Sequence, residues 1–297
     1  MRVLPERSID RAAGEADIPA GGKLMTAMLA AVRLVHPAPT AAVVILSAAL
    51  GAVLLAQAGG PVPSARLGLT VTAVLGSQIL TGALNDWADR QRDTIAQPTK
   101  PIPAGHIAPR AALGIAATGL AIQVGASMFL GPLPLALGLA AAGSAVAYNL
   151  RLSRTPASFL PYLVSFGLLP LWIAAGVGTP LDRVAATPWL IGPFAVAAHF
   201  ANALRDFDAD ASLSSRNLAQ VLGQRTSFRL AWGLAMAVGV GVGAALVLGP
   251  GRTPAVIVLG ALGLTAVAQG GGSPQRLWSG MLVAAVCWTA AWALATG

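Results

Sequence analysis

The chain has 297 residues, of which 56% are hydrophobic and only 10% charged, and its mean hydropathy is +0.71. That balance excludes an ordinary soluble domain, about a quarter of which would be charged, and describes an all-α, polytopic membrane protein. The formal charge of +8 calls for no nucleic-acid partner, because basic loops beside an anionic lipid leaflet account for it.

Residues 1–22 mix Arg2, Arg7 and Arg11 with Glu6, Asp10, Glu15 and Asp17. They contain no apolar run followed by a cleavage site, so they are expected to form a polar cytosolic tail and not a secretory signal. The remainder, 23–297, reads as one transmembrane domain. Apolar runs long enough for the hydrocarbon core are expected near 33–56, 67–88, 109–131, 133–150, 156–178, 188–206, 227–249, 254–270 and 277–296, about nine helices in all. With the N-terminus inside, sixteen Lys and Arg residues fall on the cytosolic side and three, Arg66, Arg183 and Arg252, on the other. This bias predicts a multi-pass protein of the inner (plasma) membrane with the ends of the second and sixth helices facing the cytosol.

Six of the eleven acidic residues crowd into those two ends. The first reads Asn85-Asp86-Trp87-Ala88-Asp89-Arg90-Gln91-Arg92-Asp93, the second Asn202-Ala203-Leu204-Arg205-Asp206-Phe207-Asp208-Ala209-Asp210. A carboxylate inserted beside lipid costs about 2.5–3.5 kcal/mol at a helix centre, and crowded carboxylates repel unless a cation is held between them. On a helix, Asn85, Asp86, Asp89 and Asp93 share one face over about two turns, and Asn202, Asp206 and Asp210 form an equivalent stripe that leaves Asp208 aside. Oxygen ligands of this kind suit Mg2+, which takes one or two carboxylates and completes its shell with phosphate oxygens and water. The simplest partner is therefore a divalent metal carrying a polyphosphate. The alternative is that these acids are solvated helix ends paired with Arg90, Arg92 and Arg205. The two stretches lie 117 residues apart, a spacing that predicts two related four-helix halves plus a final helix, with the acidic ends facing one cavity.

Other features read as packing. His106 is expected in a loop, Cys287 as a packed thiol without a disulfide partner, and Gly239, Gly241 and Gly243 as small residues at a helix contact. His199, one turn before Asn202, is either a core histidine or a group near a bound acceptor.

The first acidic stretch, followed by Gln97-Pro98-Thr99-Lys100-Pro101-Ile102-Pro103-Ala104-Gly105, resembles the first signature of the UbiA superfamily of intramembrane prenyltransferases. The second stretch, with Arg216-Asn217-Leu218-Ala219, is similar to that family's second signature. Arg33-Leu34-Val35-His36-Pro37 and Tyr148-Asn149-Leu150-Arg151 extend the resemblance over residues 30–230. Gln97 stands where many relatives carry Arg, and Ser214-Ser215-Arg216-Asn217 replaces a frequent Gly-Lys-x-Thr.

The resemblance implies a helical bundle around a central cavity and Mg2+-dependent transfer of a prenyl chain from a polyprenyl diphosphate to a small aromatic or quinone-precursor acceptor. Carried onto this sequence, it makes Asp86, Asp89, Asp206 and Asp210 the catalytic residues. Asn85, Asp93 and Asn202 join them as metal ligands, and Arg33, Lys100, Tyr148, Arg151 and His199 become substrate contacts. A secondary transporter with paired acidic ion sites, a membrane terpene cyclase and a polyprenyl-phosphate glycosyl-type transferase are the alternative activities.

Overall fold

The computed structural model describes residues 20–62, 64–212, 215–249 and 251–296. The polar tail expected before residue 20 lies outside the described residues, as does Ser214 of the second signature. Among the described residues there are helices and short 3-10 turns and no strand.

A short helix, α1 (Ala20–Leu34), precedes the long ones: α2 (Pro37–Gln57), α3 (Ala65–Ala96), α4 (Pro109–Leu130), α5 (Pro132–Leu150), α6 (Leu160–Val177) and α7 (Pro188–Arg205). Two one-turn helices, α8 (Phe207–Ser212) and α9 (Leu218–Leu222), lead into α10 (Gln224–Leu248), α11 (Pro254–Gln269) and α12 (Pro274–Thr296). Among the described residues eight segments can cross a membrane by length and composition, and α7, diluted by His199, Asn202 and Arg205, falls short of them. The nine expected spans thus all appear as helices.

Proline sets most of the starts. Pro37, Pro109, Pro132, Pro188 and Pro254 open their helices, where a missing N–H costs nothing. The first expected span, 33–56, is corrected by the same chemistry. Pro37 disfavours helix at the residue before it, and His36, in the left-handed region at φ 54°, separates α1 from α2. The second span runs eight residues past its expected end at 88, which keeps Asp89 and Asp93 helical. The sixth stops at Arg205, one residue early.

Close approach between α3 and α4 depends on glycine. A Cβ on Gly76 would fall 2.6 Å from the Gly119 carbonyl oxygen, and one on Gly119 would fall 2.5 Å from the Leu80 nitrogen. At the end of the bundle away from the acidic motifs, the Arg66 guanidinium donates to the Leu130 carbonyl at 3.0 Å and the Ala175 carbonyl at 3.2 Å, tying the ends of α4 and α6 together. Phe129, Trp189 and Leu248 at that end are each 81% exposed, as side chains facing lipid would be. On the other flank Phe200, Leu277, Met281 and Trp288 form a core joining α7, α10 and α12.

Candidate active site

A cavity of about 760 Å³ opens between α3 and α7. Helices α2, α5 and α6 and the start of α12 complete its wall, whereas α4, α10 and α11 contribute no lining residue. The two acidic stretches meet at its mouth. Asn85 and Asp89 reach it from α3, Asn202 from α7, Asp206 from the α7–α8 junction and Asp210 from α8. The expected stripe of Asn202, Asp206 and Asp210 is not one continuous helix. Asp206 sits at a break with φ −100° and ψ 11°, and the new turn of α8 carries Asp210 back toward the cavity while Asp208 remains exposed.

Cations are interleaved with these acids. The Lys100 ammonium, on the loop after α3, lies 2.9 Å from Asp86 and 2.8 Å from Asp93. Burial opposes its charge, but Asp86 and Asp93 outweigh that effect and hold its pKa above the ordinary lysine value. Arg92 bridges the two motifs: it is 3.2 Å from Asp89, 3.5 Å from Asp93 and 3.3 Å from Asp210. Arg154 approaches Asp89 at 3.4 Å, and the His36 Nε2 atom is 3.1 Å from Asp86. Burial raises the Asp210 carboxyl above the usual carboxylate range; Arg92 pulls it down, and Asp206 and Asp89 add to the rise.

Amides fix the geometry. Asn85 Nδ2 donates to Asp89 at 3.3 Å and to Asn149 Oδ1 at 3.2 Å, while Asn217 donates to Asp210 at 2.8 Å and caps α9 through its oxygen. Below the mouth the wall is aromatic. Tyr148 meets Tyr162 edge-on at 5.3 Å, and His199 tilts over Tyr162 at 4.7 Å. His199 Nε2 is 3.0 Å from the Ser158 hydroxyl.

Of the expected site residues, Asn85, Asp89, Lys100, Tyr148, His199, Asn202, Asp206 and Asp210 line the cavity. Asp86 and Asp93 lie just behind them, 2% and 0% exposed, held by Lys100. Arg33 and Arg151 stand apart from the site: both are exposed and neither lines the cavity. Arg33 is on the outer face of α1, and the chain turns at Arg151 (φ −145°, ψ −48°), so that Arg154, three residues on, enters the site instead. The roles of His36, Asn149, Arg154, Tyr162 and Asn217 were not foreseen from sequence, which named Arg92 only as a partner of solvated acids. Its one usable signal was the excess of Arg beside the acids, which helix spacing alone could not orient.

The residues present fit Mg2+. The donor set is carboxylate and amide oxygen, and Asp86 Oδ2 is buried without a hydrogen-bond partner. No group of three His, Cys, Asp or Glu side chains is arranged to hold a metal ion by itself among the described residues.

Comparison with known proteins agrees with this arrangement. The family described as the UbiA prenyltransferase family matches residues 44–270. A digeranylgeranylglyceryl phosphate synthase of Methanopyrus kandleri is 30% identical over 207 residues, covering 65% of this chain and 71% of that protein. The apo structure of a UbiA homologue from Aeropyrum pernix superposes with a TM-score of 0.67 at 20% identity, over 84% of this chain and 96% of the other. A UbiA homologue from Archaeoglobus fulgidus bound to DMAPP and Mg2+ gives 0.66 at 15% identity, over 89% and 98%. This chain belongs to the UbiA prenyltransferase family and is a multi-pass membrane prenyltransferase.

Proposed function

We propose that the chain transfers a prenyl chain from an allylic prenyl diphosphate to a small acceptor within the membrane, with Mg2+ as cofactor. The observation that carries this reading is the convergence of carboxylates from two distant segments, with three cations among them, at the mouth of a deep cavity whose wall is aromatic. The A. fulgidus homologue bound to DMAPP and Mg2+ supports it.

In the reaction the bond between the prenyl C1 and the diphosphate oxygen breaks, with the electron pair staying on oxygen. The acceptor's nucleophilic atom bonds to C1 and loses a proton. Bound Mg2+ supplies charge neutralisation for the leaving diphosphate. Asn85, Asp89, Asn202, Asp206 and Asp210 would hold the ion, with Asp86 and Asp93 behind them. Lys100, Arg92 and Arg154 turn from their carboxylates toward the diphosphate oxygens, which stabilises charge that develops only as the bond breaks. Tyr148 and Tyr162 place electron-rich rings in the wall beside an electron-poor allylic carbon. A transporter would carry its charges near the bilayer midplane on interrupted helices, whereas these lie at one end of the bundle.

The aromatic wall supports an aromatic or quinone-precursor acceptor. The M. kandleri relative, a digeranylgeranylglyceryl phosphate synthase, favours a second reading, in which the acceptor is a glyceryl phosphate lipid. The bias of basic residues supports an inner-membrane location with the site facing the cytosol. Incubation of the purified protein with prenyl diphosphates and both acceptor classes, with Mg2+ or EDTA, tests the proposal. Prenylated product and diphosphate release only with Mg2+ are expected; no product from any pair would overturn it.

A further inference from the structure

The cavity runs far below the acidic mouth. From Asp89 to Val74, both lining residues of α3, the fifteen-residue separation corresponds to about 22 Å at 1.5 Å per residue. Its deep end is apolar, built from Val43, Val74, Phe166, Leu169 and Trp172. Trp172 is 1% exposed and marks the innermost level reached on α6. The nearly buried indole borders the cavity. The ring packs closely on Gly138 of α5, where a Cβ would fall 2.8 Å from Cζ2 and 2.9 Å from Cε2.

The indole Nε1 is buried with no hydrogen-bond partner. A buried indole N–H usually has one, and leaving it bare costs stability. Phenylalanine would pack here without that cost, so what tryptophan adds is volume at the bottom of the cavity.

We propose that Trp172 is the floor that sets the longest prenyl chain the donor can carry, with Gly138 fixing how deep the indole lies. This inference rests on donor binding as proposed above. A tail whose head is held at the mouth descends along Thr81, Gln78 and Val74 and stops at the ring. A longer tail must displace it.

The test uses the purified full chain with dimethylallyl, geranyl, farnesyl, geranylgeranyl and longer polyprenyl diphosphates. It reads kcat/KM and, separately, competition of each diphosphate for binding. Wild type is expected to lose about tenfold or more at the chain length where the tail outgrows the floor. Trp172→Ala moves that cutoff at least one isoprene unit longer, and Trp172→Leu gives the same reading should the alanine variant fail to fold. Gly138→Ala pushes the ring inward and moves the cutoff shorter, whereas Trp172→Phe, which removes part of the floor's volume, moves it longer by less than Trp172→Ala does. Equal use of all lengths by wild type, or one cutoff shared by wild type, Trp172→Leu and Gly138→Ala, would overturn the assignment of the floor. Absence of donor binding and transfer for every diphosphate would overturn the prenyl-transfer reading itself.

Discussion

Arg92 Nη1 of α3 lies 3.3 Å from Asp210 Oδ1 of α8, a contact between residues 118 apart in sequence. The same guanidinium reaches Asp89 and Asp93, so a single side chain ties the two acidic motifs together. Arg92→Gln is expected to lower kcat about 10²-fold through loss of a cation beside the diphosphate. The apparent Mg2+ affinity measured without donor should rise, because a competing positive charge has gone. Calorimetric Mg2+ titration beside steady-state kinetics reads both.

Asp86→Ala and Asp206→Ala should abolish turnover while the protein remains abundant and monodisperse in detergent. Arg33→Ala and Arg151→Ala, which alter exposed residues outside the cavity, should retain wild-type kcat/KM within a few fold. Parallel assays of the four variants test the placement: full activity in the two Asp variants, or loss in both Arg variants, contradicts it.

Because burial raises Asp210, it takes up a proton at higher pH than an ordinary carboxylate. Protons should therefore compete with Mg2+ early on the acid side. The Mg2+ concentration for half-maximal activity is expected to climb as pH falls through the raised Asp210 value, and saturating Mg2+ should shift the acid limb of the rate profile downward. A pH-rate series at two Mg2+ levels measures this, and superimposable acid limbs would contradict it.

Lys100 titrates with the opposite consequence for stability. Its folded pKa is raised above the unfolded value, so its contribution is fully present below the unfolded lysine pKa, roughly 10.4. That contribution is lost as pH rises through the folded value. The difference in thermal stability between wild type and Lys100→Met should be constant from neutral pH to about 10 and shrink beyond it.

Gly76 and Gly119 let two helix backbones touch. Gly119→Ala should cost about 1–3 kcal/mol through overpacking, seen as a lower unfolding temperature. Gly114→Ala on the same helix, where a Cβ meets nothing within 4 Å, should leave that temperature unchanged.

Composition and the spacing of apolar runs determined the helical membrane fold, because a chain with so few charges can satisfy its backbone in lipid only as helices. The stripe of Asn85, Asp89 and Asp93 was equally legible, since one helix face can be read from residue numbers alone, whereas the matching spacing of Asn202, Asp206 and Asp210 hid the helix break at Asp206. Tertiary structure decided which cations serve those acids. Arg33, Arg151 and Arg154 each stand near motif residues with nothing in sequence to tell their roles apart, whereas Arg92 lies within the first motif. The break at His36, the turn after Arg151 and the docking of α8 against α3 turned the first two outward and brought the last two within 3.2–3.5 Å of carboxylates. A long flexible side chain goes where the packing of distant helices leaves unbalanced charge, and that balance exists only once those helices have met.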